Sequence, residues 1–598
     1  MSDKAGKLAK KCIWIKDRLP ELMVLLVCML LLGFGVSRKE GYHMDEMLSF
    51  ELANAEFNPW IVPTQPEGRL AKFVHNELEG DSLGETLQNI VDTVTDVLEN
   101  RGNSKLLSYE ADVYEEPVWI TSEQFEDYIT VDEGDAFHYL SVYFNVKDDN
   151  HPPLHFMLLH TMSSLFRGEV NPWIGCSINM LCVAVCMILL MKLGVLLAPA
   201  LGMEEKGRML GLVAALLYGL STGAMATTLL IRMYGVVTCF CMLLLYIHVT
   251  KWLTGEYDRR NKGLIAVTVL GFWTQYFFLF YCLLLAAVTA VLLWCKKRGR
   301  LLACYVRSMI IAALIGVASF PFAVSDVFSS GRGVEALDNL ASGLTGYGTR
   351  LASFGEILVG RTFGPFLWVI LVILALVALG LVFVEKRTKK SEEGTAERAS
   401  ERSHLIAMLT IPVAGYFLLA ARMSPYLVDR YIMPIFPLVI LLGALLLGGV
   451  TRILEKEYKG RTATCIILGA ALGSQLWGLI GYDGTYLYRG YEQQLELAQE
   501  YEESPCICVY DGVGYYENLL ELAQYDKTLL LTLDELQNRS EKESISSLEQ
   551  VIVLMKPAVD REQVIAVLND QYHLTLESEL LTDREAGDGL FLFVKAQE

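Results

Sequence analysis

Charge is sparse in this chain, and cysteine is missing from the region where a secreted scaffold would need it. Only 20% of the 598 residues are charged and 53% are hydrophobic, which excludes an ordinary soluble domain with a polar shell around one core. Basic residues are in deficit, 50 Lys and Arg against 69 Asp and Glu for a net charge of −19. Binding a phosphate backbone needs the opposite balance, so nucleic acid is excluded as a partner. None of the 13 cysteines falls in 42–150 and most lie in apolar runs, so no disulfide framework is indicated. Cys506 and Cys508 alternate on a strand-like run and read as a small buried pair. GxGxxG and P-loop spacings are absent from the C-terminal region, where Gly512-Val513-Gly514 reads as a turn.

What is present is uneven. Residues 42–150 hold 24 acidic residues against 5 basic, and 483–598 hold 24 against 8, while the remainder is net basic and apolar. The expected fold is therefore a polytopic α-helical membrane protein with a long extracytoplasmic first loop and a small C-terminal extracytoplasmic α/β domain. Its boundaries are a basic cytoplasmic N-terminus and first span at 1–41, the loop with juxtamembrane helices at 42–172, a multi-span region at 173–482 and a soluble domain at 483–598. A span needs roughly 20 apolar residues. Candidates fall at 20–37, 173–197, 208–230, 234–253, 262–276, 278–295, 306–324, 363–384, 405–421, 434–450 and 463–482, about eleven in all.

Alternating these spans from an inside start places the basic connections on one side, as short cytoplasmic loops require. Those connections are Lys192 to Arg208, Lys251 to Lys262 with Arg259 and Arg260, Lys296 to Arg300, Lys386 to Arg402, and Arg452 to Arg461. The basic cluster before Leu22 reads as an uncleaved signal anchor with its N-terminus in the cytoplasm. His151 to Phe166 is apolar but short and reads as an amphipathic helix on the outer membrane face. In the tail, strand-like runs at Cys506–Tyr510, Thr528–Thr532, Val551–Met555 and Leu590–Val594 alternate with helical periodicity at Tyr515–Ala523 and Arg561–Asp570. Gly84 to Leu98 has the pattern of a helix within the first loop.

Four groups of residues could carry chemistry. Tyr42-His43-Met44-Asp45-Glu46 puts two adjacent carboxylates just past the first span, which is either a functional site or a solvated acidic loop. Asp149-Asn150-His151-Pro152-Pro153-Leu154 is stiffened by two prolines, and also reads as a capped helix start. Arg232-Met233-Tyr234 places an arginine at an outer helix end, where a phosphate or a lipid headgroup would pair with it. Arg422 and Asp429-Arg430-Tyr431-Ile432-Met433-Pro434 repeat that pattern, with an internal Asp429–Arg430 ion pair as the plainer reading. The glycine-rich stretch 325–362 adds Arg332, Arg350 and Arg361 and suits a mobile lid or an irregular connection.

The order of these motifs resembles the GT-C glycosyltransferases, specifically the family 39-like group that includes protein O-mannosyltransferases and lipid A aminoarabinose transferase. The resemblance covers about 20–440. It implies a polyprenyl-phosphate-sugar donor and an inverting transfer on the extracytoplasmic side, while low cysteine use in the outer regions and the absence of a retention signal point to a plasma membrane of bacterial type. Asp45 matches the aspartate taken as catalytic base, Glu46 its companion, and Asp149, His151, Pro152 and Pro153 the second loop motif. Arg232, Tyr234, Arg430, Tyr431 and Arg332 are the expected phosphate-binding residues. The chain departs from relatives at Leu230, where an acidic residue is frequent, and at Gln275-Tyr276, where His-Tyr is frequent.

The chemistry follows from residue types as well: a sugar phosphate already has a good leaving group, so a base and several guanidiniums suffice. No cofactor is required, although a divalent cation could be held by Asp45, Glu46 or Asp149. The expected partners are the lipid-linked donor, a lipid, glycan or protein acceptor, and the bilayer. A transporter or flippase of lipid-linked saccharides and a membrane-anchored binding protein are the competing classes. The first of these would place charged or broken helices at mid-membrane, whereas the notable charges here cluster at predicted outer ends.

Overall fold

The structure is a computed structural model, and it describes all residues except 1, 258–260, 344, 389–393, 459–460, 513, 583–586 and 597–598; side chains are also left undescribed at 2–16, 83, 148, 367, 370–371, 373–398, 453–461 and 463–464. It divides into a membrane unit, Met1–Arg38 with Asp148–His155 and Gly175–Thr485, and a sheet unit, Lys39–Lys147 with Phe156–Ile174 and Tyr486–Glu598.

The membrane unit is a polytopic helical bundle. Seven of its described helices are long and apolar enough to cross a bilayer: Asp17–Val36, Pro172–Ala200, Tyr234–Thr254, Phe278–Cys295, Gly299–Ser319, Ala399–Met423 and Met433–Arg452. An eighth crossing is available if Glu204–Gly219 and Thr222–Leu229, bent by 57° at their junction, act as one broken span. This corrects the expectation of about eleven spans. Lys262–Phe272 has 11 residues and is roughly 16 Å long, half of a hydrocarbon core of about 30 Å. Cys465–Ile480 is the apolar part of the helix Arg461–Ile480, which has 20 residues. The expected span at 363–384 falls within the helix Tyr347–Thr388, which kinks at Gly364 (φ 65) just before Pro365; most of its side chains lie outside the described residues, as do Arg259 and Arg260. With fewer crossings, the alternation of sides drawn from eleven no longer follows from the helix count.

Close helix packing here depends on glycine. A Cβ on Gly194 would lie 2.4 Å from the Cα of Gly211, so Pro172–Ala200 and Gly207–Gly219 touch backbone to backbone. The stretch 325–362, expected as a lid or an irregular connection, is largely helical: Ala323–Phe328 and Gly331–Ala341 precede the helix that starts at Tyr347.

The sheet unit is built on six strands: β1 (Trp119–Thr121), β2 (Cys506–Val509), β3 (Lys527–Leu531), β4 (Gln550–Met555), β5 (Leu574–Leu581) and β6 (Gly589–Lys595), in the order β1-β3-β2-β4-β6-β5. Strands β3, β2 and β4 are parallel, with Ile507 opposite both Leu529 and Val553. These central strands are apolar on both faces, as buried parallel strands must be. Their side chains, with Leu568, Tyr572 and Phe593, form the core. Cys506 and Cys508 are buried in β2, and all described cysteines are free thiols.

Strand β1 comes from the first loop and runs antiparallel to β3, Trp119 opposite Leu529 and Thr121 opposite Lys527. One sheet therefore joins segments that the sequence boundaries 42–172 and 483–598 keep apart. The expected first-loop helix is present as Leu83–Asn100, with the Ser82 hydroxyl accepting from the Glu85 N–H as its N-cap. The segment read as an amphipathic helix forms Leu154–Leu165.

Candidate active site

In the membrane unit, the two prolines set the path of the second loop motif. Pro152 and Pro153 are buried, and the Leu154 N–H donates to the Trp273 carbonyl at 3.0 Å, which ties the motif to the turn at 273–276. Within the motif the His151 ring pairs with the Asp149 carboxylate at 2.9 Å, and both side chains are largely buried. Burial pushes the Asp149 carboxyl up, but His151 beside it and the Arg232 charge outweigh this and hold it below its ordinary value. Asp149 is therefore a carboxylate at neutral pH. His155, one turn on, is held neutral: burial, aided by Arg232 and His151, lowers it to about 3.

Arg232 occupies the tight turn between Thr222–Leu229 and Tyr234–Thr254. Its N–H donates to the Leu230 carbonyl at 2.8 Å, and the same carbonyl accepts from Asn179 Nδ2 at 2.5 Å. At the departing position Leu230, the backbone is thus fixed by an asparagine on a neighbouring helix. Arg232 is 6% exposed, so its guanidinium sits in protein rather than among lipid headgroups. Tyr276, next to Gln275, donates its hydroxyl to Asp326 at 2.6 Å, and the Asp149 charge contributes to the upward shift that burial gives its phenol.

From Arg232 the chain leads directly to a second cluster. Tyr234 meets Tyr431 edge to face with centroids 6.5 Å apart, and Phe277 packs on Tyr431 at 5.6 Å. The Tyr416 hydroxyl donates to the Tyr431 carbonyl at 2.9 Å. The Arg430 guanidinium lies 5.6 Å from the Tyr431 ring centroid. Arg332 is held by the Tyr426 hydroxyl and Glu335, both at 2.9 Å, and its charge, with that of Arg430, reaches the Tyr431 phenol. Asp429 pairs with Arg361 at 2.9 Å, and Arg361 also reaches Asp483 and Thr485 at 3.3 and 3.1 Å. Asp429 therefore has Arg361, from a distant helix, as a partner. The structure thus brings Asp149, His151, Arg232, Tyr234, Arg430, Tyr431 and Arg332 into one neighbourhood, and adds His155 and Tyr276 to it.

Asp45 and Glu46 belong to the sheet unit, where they open the helix Met44–Asn54. His43 caps it: its Nδ1 accepts the Asp45 N–H at 3.0 Å, while the His43 N–H donates to Glu46 Oε2 at 2.7 Å, which is a reciprocal capping box. Lys39 Nζ donates to the same Glu46 oxygen at 3.0 Å, both side chains fully buried, and also to the Tyr486 carbonyl at 2.8 Å. The two adjacent acids are thereby separated in role. Glu46 is committed to a cap and an ion pair. Asp45 keeps a side chain 21% exposed at the helix N-terminus, with its Oδ2 3.6 Å from His43 Nδ1.

Sequence reading missed Lys39, which follows the first span, and Glu51, a fully buried acid accepting the Ile61 N–H at 3.3 Å. Burial pushes the Glu51 carboxyl well above its ordinary value. A divalent cation finds no ready cage here, since no group of three or more His, Cys, Asp or Glu is arranged to hold one among the described residues.

No protein-family model matches the chain, and no curated protein matches it. Among solved structures it is similar to ArnT from Cupriavidus metallidurans bound to undecaprenyl phosphate, with 11% identity over 96% of this chain and 97% of that one and a TM-score of 0.49. It is also similar to ArnT from the same organism in the apo state, with 13% identity over 74% and 87% and a TM-score of 0.42.

Proposed function

We propose that this multi-pass membrane protein is a glycosyltransferase of the GT-C type that moves a sugar from a polyprenyl-phosphate donor to an extracytoplasmic acceptor. One observation carries the reading: buried Arg232, beside the Asp149 carboxylate and its partner His151, leads within two residues to a cluster of Tyr234, Tyr431 and Arg430. Desolvated guanidiniums bind a phosphate far better than the same groups in water.

In the reaction, Asp45 takes the proton of an acceptor hydroxyl, and the oxygen forms a bond to the anomeric carbon. The bond from that carbon to the phosphate oxygen breaks, with inversion. Its electron pair leaves on the polyprenyl phosphate, whose charge Arg232 and Arg430 neutralise. The assignment of Asp45 as base comes from its motif, and its partly exposed carboxylate at a helix start is consistent with the task.

The test uses the full chain in detergent with undecaprenyl-phosphate-linked sugars, following release or transfer of the labelled sugar. Base catalysis is worth roughly 10²–10⁴-fold, so Asp45→Asn lowers turnover by about that factor while the protein stays folded. Arg232→Ala chiefly raises the donor concentration needed for saturation. Near-normal turnover by Asp45→Asn removes that residue as base, and unchanged donor saturation by Arg232→Ala removes the phosphate role. No sugar release from any donor by the wild-type chain removes the transferase reading.

A further inference from the structure

The sheet unit contains a cavity of about 230 Å³ bounded by the segment that carries Tyr42 and His43 and by the start of the C-terminal region. One side is aromatic. Tyr42 and Tyr491 meet edge to face at 6.5 Å, and the His43 and Tyr488 rings lie 6.2 Å apart. Lys39 Nζ sits 4.8 Å from the Tyr488 centroid and 5.5 Å from that of Tyr42, which fixes both rings from behind.

Another side is polar and rigid. Asn518 and Asp588, both in the lining, are 2% and 1% exposed. Lys556 Nζ donates to Asn518 Oδ1 at 2.9 Å and to Asp588 Oδ2 at 3.0 Å, and Asn518 Nδ2 donates to Asp588 Oδ2 at 3.2 Å. A buried network of this kind is costly to assemble and adds little to core packing. Arg489, Gln494 and Glu517 complete the lining.

The backbone beside the cavity is strained. Tyr486 and Tyr488 take φ values of 71° and 48°, a left-handed conformation that costs any residue with a Cβ. The Glu40 N–H donates to the Leu487 carbonyl at 2.9 Å, and the Gly490 N–H donates to Glu40 Oε2 at 2.5 Å; these contacts hold the strained segment in place. Backbone held this way beside a cavity marks a site better than a plain surface turn does.

The lining selects a chemistry. Carboxylates at Glu517 and Asp588 disfavour a phosphate, and the polar wall disfavours an alkyl chain. A ring bearing hydroxyls fits both walls: its hydroxyls donate to carboxylates and accept from Gln494 and Arg489, while its C–H face lies against tyrosine. The volume falls below the roughly 300–1,000 Å³ of sites for drug-sized ligands, which suits a single sugar ring. His43 lines this cavity and accepts the Asp45 N–H, so the cavity and the candidate base share a residue.

We propose that this cavity is a saccharide subsite for the terminal sugar of the acceptor, so that the acceptor is a glycan; the acceptor role rests on the transferase reading above. The test uses the full chain in lauryldimethylamine oxide, a detergent without a sugar headgroup. The methyl glycosides of glucose, galactose, mannose, xylose and N-acetylglucosamine are titrated by saturation-transfer NMR. At least one binds, and Gln494→Ala and Arg489→Ala each weaken it about tenfold, the effect of one hydrogen bond lost in a partly desolvated site. Both side chains are at least partly exposed, so neither change threatens the fold. Failure of every glycoside to bind overturns the proposal, as does unchanged binding by both variants or displacement of the glycoside by inorganic phosphate. Donor turnover is measured on the same preparation: turnover without glycoside binding sinks the subsite alone, and glycoside binding without turnover sinks the transferase reading and with it the acceptor role.

Discussion

Lys39→Met separates a structural acid from a catalytic one. The Lys39 and Glu46 side chains are both fully buried with Nζ and Oε2 at 3.0 Å, so removing the ammonium leaves a carboxylate in protein with the His43 N–H as its remaining donor in the cap. Breaking a buried pair by deleting one partner costs about 3–5 kcal/mol, against a total stability of about 5–15 kcal/mol for a typical domain. Methionine replaces the apolar stem of lysine, so little of that loss comes from packing. In the double variant Lys39→Met with Glu46→Gln the stranded charge is gone, and the glutamine oxygen still accepts the His43 N–H. The double variant therefore recovers most of the loss, a coupling that a two-variant cycle reads directly.

The assay is thermal unfolding of the full chain in detergent by near-ultraviolet circular dichroism, with limited proteolysis of the sheet unit alongside. Lys39→Met lowers the midpoint sharply, Glu46→Gln less, and the double variant less than Lys39→Met. A Lys39→Met protein within about 1 kcal/mol of wild type would contradict a buried, paired charge. So would a double variant no better than Lys39→Met. Glu46→Gln also tests role: a folded variant that has lost donor turnover would refute the purely structural assignment of Glu46.

Two further outcomes follow from geometry in the same unit. A Cβ added at Gly41 would lie 2.5 Å from the Tyr491 Cβ, so Gly41→Ala overpacks the contact and costs about 1–3 kcal/mol; an unchanged unfolding midpoint would show that the 39–43 segment is not held against Tyr491. Burial, reinforced by Glu56, raises the Asp135 carboxyl from 3.8 to about 7. The folded state then keeps a proton that the unfolded chain has released, so this group's contribution to stability is full below pH 3.8 and is lost as pH rises through about 7. Asp135→Asn flattens that decline, and parallel midpoint-versus-pH curves for variant and wild type would remove Asp135 as its source.

Much of the local structure could be read from sequence because it is set by local rules. Period-two and helical patterns located β2, β3, β4, β6 and the helix Arg561–Tyr572, and the pattern at Gly84 to Leu98 located the helix Leu83–Asn100. What could not be read depends on distant partners. Strand β1 is three residues long and gains its hydrogen bonds from Lys527–Leu531, so no periodicity within the first loop could announce it. The span count failed for a related reason: a run of apolar residues does not disclose where a turn such as 273–277 ends a helix short of a bilayer's thickness.

Charge pairing is the hardest case, because an ionic partner is chosen by the fold and not by neighbourhood in sequence. Asp429 pairs with Arg361, 68 residues away in the chain, and the Arg430 guanidinium lies beside the Tyr431 ring. Asp45 and Glu46 are indistinguishable as adjacent letters. Lys39, just beyond the first span, draws one of them into the interior, and a histidine cap leaves the other at the helix start with a partly exposed carboxylate. Sequence order narrows catalytic candidates to a motif, and burial then decides which member is available: Glu46 is enclosed with Lys39 and engaged in the helix cap, whereas Asp45 is partly exposed, so of this pair Asp45 is the one whose removal should slow the reaction.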